Sequence, residues 1–321
     1  MNSSDHVSED GSGFAGSALG ALGTSTGATG AKDDNFDSLE VAGSKTGAAS
    51  DPRMPDVDPS SIRAVFFDLD GTLLPMDLDE FLNAYFKAIG TYVHQLGYDT
   101  ASFSAGFSRG LKAMGHHDPS ITNAQAFWGE FFECVSGDQQ DWSDVILRFY
   151  TQEFPKLGAD VVPNPACAHV VNVLASKGYP LVLATMPYFP LPAVLSRLSW
   201  AGVDASLFAR LTHYENSRSA KPGLHYYAEQ LVACGIEANE ILMVGNNTVE
   251  DLSFSQMGAH VFITTDYLLN PSGVDLADVE HGSMEQFARW VDDLPACANP
   301  CSAIGDGLVD EAPCARFLEM L

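Results

Sequence analysis

Two carboxylates spaced i and i+2, Asp68 and Asp70, follow the apolar run Ala64-Val65-Phe66-Phe67 and precede Gly71-Thr72-Leu73-Leu74. A continuous apolar run predicts a strand buried on both faces, of the parallel kind. Ligands of open α/β sheets bind beyond the carboxyl ends of their strands, which is where these acids fall. Gly71 permits the tight turn that brings main-chain N–H groups toward a ligand. Two acids there can bind a divalent cation and still leave one oxygen to attack phosphorus, since an aspartate nucleophile is a known route to an aspartyl-phosphate. D-x-D-G also opens calcium loops. Here, however, the twelfth position counted from Asp68 is Asp79 rather than Glu, and a strand precedes the motif instead of a helix. A polar turn without function is the bland reading of the same residues.

The stretch F-F-D-L-D-G-T-L-L, residues 66–74, resembles the first motif of the haloacid dehalogenase superfamily of phosphohydrolases. Three later stretches fit that family's further motifs in order. Leu181-Val182-Leu183-Ala184-Thr185 is an apolar strand ending in Thr, Ser219-Ala220-Lys221-Pro222 carries the Lys, and Ile241 to Asp251 holds the acidic loop. The similarity covers roughly residues 62–290. It implies an α/β fold, a Rossmann-like parallel sheet core with an inserted all-helical cap domain of the smaller type.

The resemblance also implies roles. Asp68 would be the nucleophile and Asp70 the general acid and base, protonating the leaving group and later activating water. Thr185, the Met186 N–H, Lys221 and the turn residues Gly71 and Thr72 would hold the phosphoryl oxygens. Pro222 suits the first position of a helix, where the dipole opposes a neighbouring Lys, so Lys221 needs another partner. Mg²⁺ would be held by Asp68, Asp70 through its carbonyl, Asn246, Asn247 and Asp251, with Glu250 nearby. In this last motif the family's usual acids after the Gly are amides, Asn246 and Asn247. An amide oxygen can coordinate but supplies no charge, so weaker metal binding is expected. Dehalogenases of the superfamily lack the second Asp, because halide departs without a proton. The expected activity is therefore Mg-dependent hydrolysis of a small phosphorylated metabolite. A phosphomutase on the same core and a catalytically weak binding protein are the alternatives.

These residues need a sheet to hold them. Strand signals alternate with helical patterns after residue 160, the signature of parallel α/β structure. Helices are expected at 165–177, 190–201, 222–234, 249–257 and 283–294, and strands at 62–68, 181–185, 207–212, 240–244 and 260–263. Between the first two strands, helical periodicity runs through 78–96, 122–135 and 142–154, which makes 78–160 the expected cap. Phe81, Tyr85, Phe127, Trp128 and Phe131 read as cap core. Arg109, Lys112, His116 and His117 form the only basic cluster in the insert and could meet an anionic substrate, although a solvated helix end explains them as well.

Formal net charge is −26 with only 16 Lys and Arg, which excludes nucleic acid and anionic membranes as partners. No apolar run reaches the 18 residues a membrane span needs, and the amino terminus lacks the pattern of a secretory signal. Residues 1–58 are poor in large apolar side chains and are expected to be a disordered low-complexity tail. The core is expected at 59–77 and 161–290, and a loosely held tail at 291–321 after its opening helix. Cys134, Cys167 and Cys234 read as buried hydrophobes, whereas Cys297, Cys301 and Cys314 lie in that tail; a reduced, cytoplasmic setting is expected.

Overall fold

The computed structural model describes residues 51–302, 305–310 and 312–318. Of the tail expected at 1–58, residues 1–50 lie outside them. Six parallel strands form one sheet in the order β3-β2-β1-β4-β5-β6: β1 (Ala64–Phe67), β2 (Leu181–Leu183), β3 (Phe208–Leu211), β4 (Ile241–Gly245), β5 (His260–Thr264) and β6 (Glu280–Gly282). β1 is central, with Phe67 in register with Leu183 on one side and Val244 on the other. Successive side chains alternate between two cores. Val65 and Phe67 pack with Leu183, Leu242 and Val244, while Ala64 and Phe66 pack with Val182, Ile241 and Met243 on the opposite face. Both faces being covered, all four residues of β1 are buried, and each Phe contributes about 1.5–3 kcal/mol by leaving water.

Four helices fill the first part of the segment after β1: α1 (Leu78–Gln95), α2 (Thr100–Met114), α3 (Asn123–Phe131) and α4 (Gln139–Arg148). Each opens on a side-chain cap, from Asp77, Asp99, Thr122 and Asp138 respectively. Their aromatic faces, with Phe81, Tyr85, Phe107, Phe127 and Phe131, are continuous with the core on one side of the sheet. α2 lies within the expected helical cap but outside its three periodic segments, and it buries Gly106 and Gly110. Here they let helices meet: a Cβ on Gly110 would stand 2.5 Å from the Phe127 ring of α3. The helix expected through 154 ends at Arg148 and continues as a π turn (Phe149–Glu153) and a 3-10 turn (Phe154–Gly158) around Pro155.

The remaining helices are α5 (Pro165–Ser176), α6 (Leu191–Trp200), α7 (Leu224–Cys234), α8 (Met284–Asp293) and α9 (Ala312–Leu318). α7 starts two residues later than expected, so Pro222 is not its first residue. The expected helix at 249–257 is a 3-10 turn, Leu252–Met257. β6 was also unforeseen. Its edge is paired by a segment assigned to the tail: Arg53 N–H donates to the His281 carbonyl at 2.9 Å, and His281 N–H donates to the Arg53 carbonyl at 2.8 Å. Residues 51–58 are thus docked on the sheet through main-chain pairing, which needs no apolar periodicity. The carboxyl-terminal segment is likewise anchored. Cys297 N–H donates to the Lys177 carbonyl, Cys301 N–H to the Arg63 carbonyl, and the buried Arg210 guanidinium to the carbonyls of Gly305 and Gly307. None of the six cysteines is in a disulfide, and no described helix is long and apolar enough to cross a membrane.

Candidate active site

Asp68 directly follows β1, its N–H continuing the ladder to the Val244 carbonyl at 2.9 Å. The chain then folds back within one turn: Leu74 N–H donates to the Leu69 carbonyl and Gly71 N–H to the Leu74 carbonyl, both at 2.8 Å. Gly71 has φ +79°, and a Cβ there would lie 2.2 Å from Asn246 Nδ2, so the turn closes against the loop after β4 only with glycine. The main-chain N–H groups of Gly71 and Thr72 are spent inside this turn, which corrects their expected part in phosphate binding. Thr72 contributes its hydroxyl instead, 3.3 Å from Asp68 Oδ2 and 3.4 Å from Asn246 Oδ1.

Lys221 enters from the loop before α7. Its Nζ donates to Asp68 Oδ1 and to Asp251 Oδ1, both at 2.7 Å, and its side chain is fully buried. Burial alone would lower the Lys221 pKa, but Asp251 and Asp68 hold it well above the ordinary value, so the ammonium persists. Asp251 Oδ2 accepts the N–H groups of Asn246 and Asn247, both at 3.0 Å. Gly245 makes this possible, since a Cβ there would fall 2.2 Å from the Asp251 carboxyl. Both Asp251 oxygens are therefore committed. Asn247 Oδ1 turns back to accept the N–H groups of Val249 and Glu250, at 2.9 and 3.2 Å. Asp251 and Asn247 thus leave the expected metal set: one orients Lys221, the other caps its own loop.

Among the described residues no group of three or more His, Cys, Asp or Glu could hold a metal. Asp68 Oδ2 and Asn246 Oδ1 nevertheless converge on the Thr72 hydroxyl, and the Asp70 carbonyl belongs to the same turn. One carboxylate with neutral oxygens suits a hard cation whose other ligands are waters and a substrate phosphate. Glu250 stands beside this set, its carboxyl pushed up to about 8 by burial against the pull of Lys221.

Thr185 follows β2, its carbonyl fixed by the hydroxyls of Thr212 (3.1 Å) and Tyr226 (2.9 Å), while its own buried Oγ1 has no partner. A buried hydroxyl without a partner costs free energy unless a ligand or water meets it. Beyond Met186, the Pro187 carbonyl accepts Asn123 Nδ2 at 3.1 Å. The same amide reaches the Ser219 carbonyl at 3.0 Å, which ties α3 to the loops carrying Thr185 and Lys221. Asp70 Oδ2 pairs with Arg197 Nη1 at 2.5 Å and its Oδ1 is unpartnered. Burial raises the Asp70 pKa, opposed chiefly by Arg197. Arg197 was not foreseen, although it carried a signal: a charge on the apolar stripe Ala193, Val194, Leu198 of α6.

Asp68, Thr72, Lys221, Asn246 and Asp251 thus share one hydrogen-bond network, the Asp70–Arg197 pair lies within the electrostatic reach of Asp68 and Lys221, and Thr185 follows the neighbouring strand β2. The basic cluster does not join it. Arg109 pairs with Glu130, His117 contacts Asn123 Oδ1 at 2.7 Å, and with Lys112 and His116 they line a groove of about 580 Å³ along α2 and α3. Phe81, Tyr85, Phe127, Trp128 and Phe131 are buried in the aromatic core.

The family model for haloacid dehalogenase-like hydrolases matches residues 62–258. The chain belongs to the haloacid dehalogenase-like hydrolases. No curated protein sequence matches it. Similar solved structures include a phosphatase of the haloacid dehalogenase family from Thermococcus onnurineus, 18% identical, covering 73% of this chain and 100% of its own, with TM-score 0.45. Another is the L-2-haloacid dehalogenase from Xanthobacter autotrophicus, 15% identical, covering 73% of this chain and 99% of its own, with TM-score 0.43. As a haloacid dehalogenase-like hydrolase, the chain brings Asp68, just past its first core strand, against Lys221 of the loop after β3 and beside Asn246 of the loop after β4.

Proposed function

We propose that this haloacid dehalogenase-like hydrolase is a phosphomonoesterase acting on a small phosphorylated metabolite through an aspartyl-phosphate on Asp68. The observation that carries this reading is the second carboxyl group, Asp70, in the same turn as Asp68 and with one buried oxygen left unpartnered. Halide leaves without a proton, whereas an alkoxide leaving a phosphate monoester needs one, and the unpartnered Asp70 Oδ1 would supply it. The Lys221 ammonium holds Asp68 Oδ1, aims the carboxylate and offsets the negative charge of an incoming phosphoryl group. The free Thr185 hydroxyl donates to a phosphoryl oxygen, joined by the Met186 N–H. Asp68 attacks phosphorus in line and Asp70 protonates the departing oxygen. Asp70, then a carboxylate, takes a proton from the water that hydrolyses the aspartyl-phosphate, the reverse use of one group that microscopic reversibility requires.

Mg²⁺ is the proposed cofactor; Asp68, Asn246 and the Asp70 carbonyl would hold it, and when bound it neutralises charge on the phosphoryl oxygens. A net charge of −26 supports a small substrate over nucleic acid or a membrane surface. Six cysteines in the reduced state support a cytoplasmic setting. Release of inorganic phosphate from 4-nitrophenyl phosphate, with and without Mg²⁺, tests the reading. Steady Mg-dependent release is expected. No release at any Mg²⁺ concentration would overturn it, and retention of the phosphate on a product would favour a mutase.

A further inference from the structure

Arg197 is among the largest fully buried side chains of the protein, and the mechanism above makes no use of it. It sits on the inward face of α6, among Ala193, Val194 and Leu198. Its guanidinium lies over the Phe189 ring at 4.3 Å, and its Nη1 donates to Asp70 Oδ2. Its Nε and Nη2 are buried without a partner, so the Asp70 carboxylate is the anion that answers its charge. For stability alone this is a poor arrangement. A buried ion pair commonly costs as much desolvation as it returns, and an apolar side chain of similar volume serves as well or better. The contact is directional instead. Phe189 fixes the plane of the guanidinium, α6 fixes its stem, and the one hydrogen bond fixes Asp70 by a single oxygen.

The geometry points to Arg197 as a positioning residue for Asp70: it pins Oδ2 and so commits Oδ1, the unpartnered oxygen, to proton exchange with the leaving group and the water. The inference rests on the phosphomonoesterase reading. In the step concerned, an Asp68 oxygen forms its bond to phosphorus as the bond from phosphorus to the leaving oxygen breaks. The proton on Asp70 Oδ1 moves to that oxygen, leaving Asp70 as the carboxylate held by Arg197. α6 follows the loop that carries Thr185, so one segment presents the phosphate-binding hydroxyl and aims the acid. Lysine would keep the charge but not the planar, stacked geometry.

Two aryl phosphates of similar shape test this, phenyl phosphate with a poor leaving group and 4-nitrophenyl phosphate with a good one. A residue that aims the acid matters most where the proton is needed most. Arg197→Met is expected to lower kcat/KM about 10²-fold for phenyl phosphate and less than about tenfold for 4-nitrophenyl phosphate, with KM little changed; general acids are worth roughly 10²–10⁴. In an Asp70→Asn background the same substitution should cost nothing further. Should Arg197→Met fail to fold, Arg197→Lys carries the comparison, with the same asymmetry in weaker form. Equal losses on both substrates, or a full additional loss on top of Asp70→Asn, would overturn the positioning role. Absence of turnover of either phosphate by the wild type would instead sink the phosphomonoesterase reading, and this inference with it.

Discussion

Removing the Asp251 carboxylate should damage the fold and the chemistry together. Its Oδ1 is 2.7 Å from the buried Lys221 Nζ, and its Oδ2 accepts two main-chain N–H groups at 3.0 Å. Asp251→Ala leaves Lys221 with Asp68 as its one carboxylate partner and strands the N–H groups of Asn246 and Asn247. Breaking a buried ion pair by deleting one partner costs about 3–5 kcal/mol. The two N–H losses overlap with that figure, because they belong to the same network. A destabilisation of about 3–5 kcal/mol corresponds to a Tm lower by roughly 6–20 °C. Asp251→Asn keeps an acceptor for the N–H groups but loses the ion pair, so its loss should be smaller. Urea unfolding at pH 7 followed by circular dichroism gives the numbers. The Ala variant should also lose activity by about 10²-fold, since Lys221 would no longer be held against Asp68. A destabilisation under about 1 kcal/mol with activity intact would refute the assignment of Asp251 as the partner that fixes Lys221.

The two asparagines after β4 should separate in their response to charge. Asn246→Asp, whose side chain meets Thr72 beside Asp68, should lower the Mg²⁺ concentration for half-maximal activity by about 10–100-fold, whereas Asn247→Asp, which caps its own loop, should leave it unchanged; equal shifts would contradict the placement. Glu250, raised by burial to about 8, holds its proton in the folded protein where the unfolded chain has lost it. The folded state therefore binds more protons between the ordinary carboxyl value and about 8, so stability falls as pH rises through that window. In metal-free protein the Tm should drop between pH 5 and 8, and Glu250→Gln should remove much of that slope; parallel curves for the two proteins would refute it.

Much of the site was legible because its parts end apolar strands. Asp68, Thr185 and the loop after Gly245 each close a run whose side chains alternate between two buried faces, and such a run leaves a clear trace. Lys221 was legible through its place in the motif order, though the reason offered, a helix beginning at Pro222, was not the structural one. What stayed hidden depends on direction and distance. Nothing in Asn246-Asn247 says which amide faces Thr72 and which folds back on its loop; the carboxylate of Asp251, admitted by Gly245, settles that by taking both N–H groups. Arg197 is far from Asp70 along the chain, and only the packing of α6 brings them together. α2 meets its neighbours through two glycines, which leave no large apolar side chain to read at those positions, and the pairing of Arg53 with β6 is main-chain to main-chain, leaving no side-chain pattern to read.

The central claim is that Asp68 carries the phosphoryl group and Asp70 moves the proton. Intact-mass measurement of the Asp70→Asn variant during turnover of 4-nitrophenyl phosphate tests it most directly. With a good leaving group Asp68 is still phosphorylated, while hydrolysis lacks its base, so a phosphorylated enzyme should accumulate, with the added mass mapping to the peptide that contains Asp68. Asp68→Asn should show neither the added mass nor turnover. Turnover by Asp68→Asn within about tenfold of wild type, or a phosphoryl group mapped to another residue, would contradict the account.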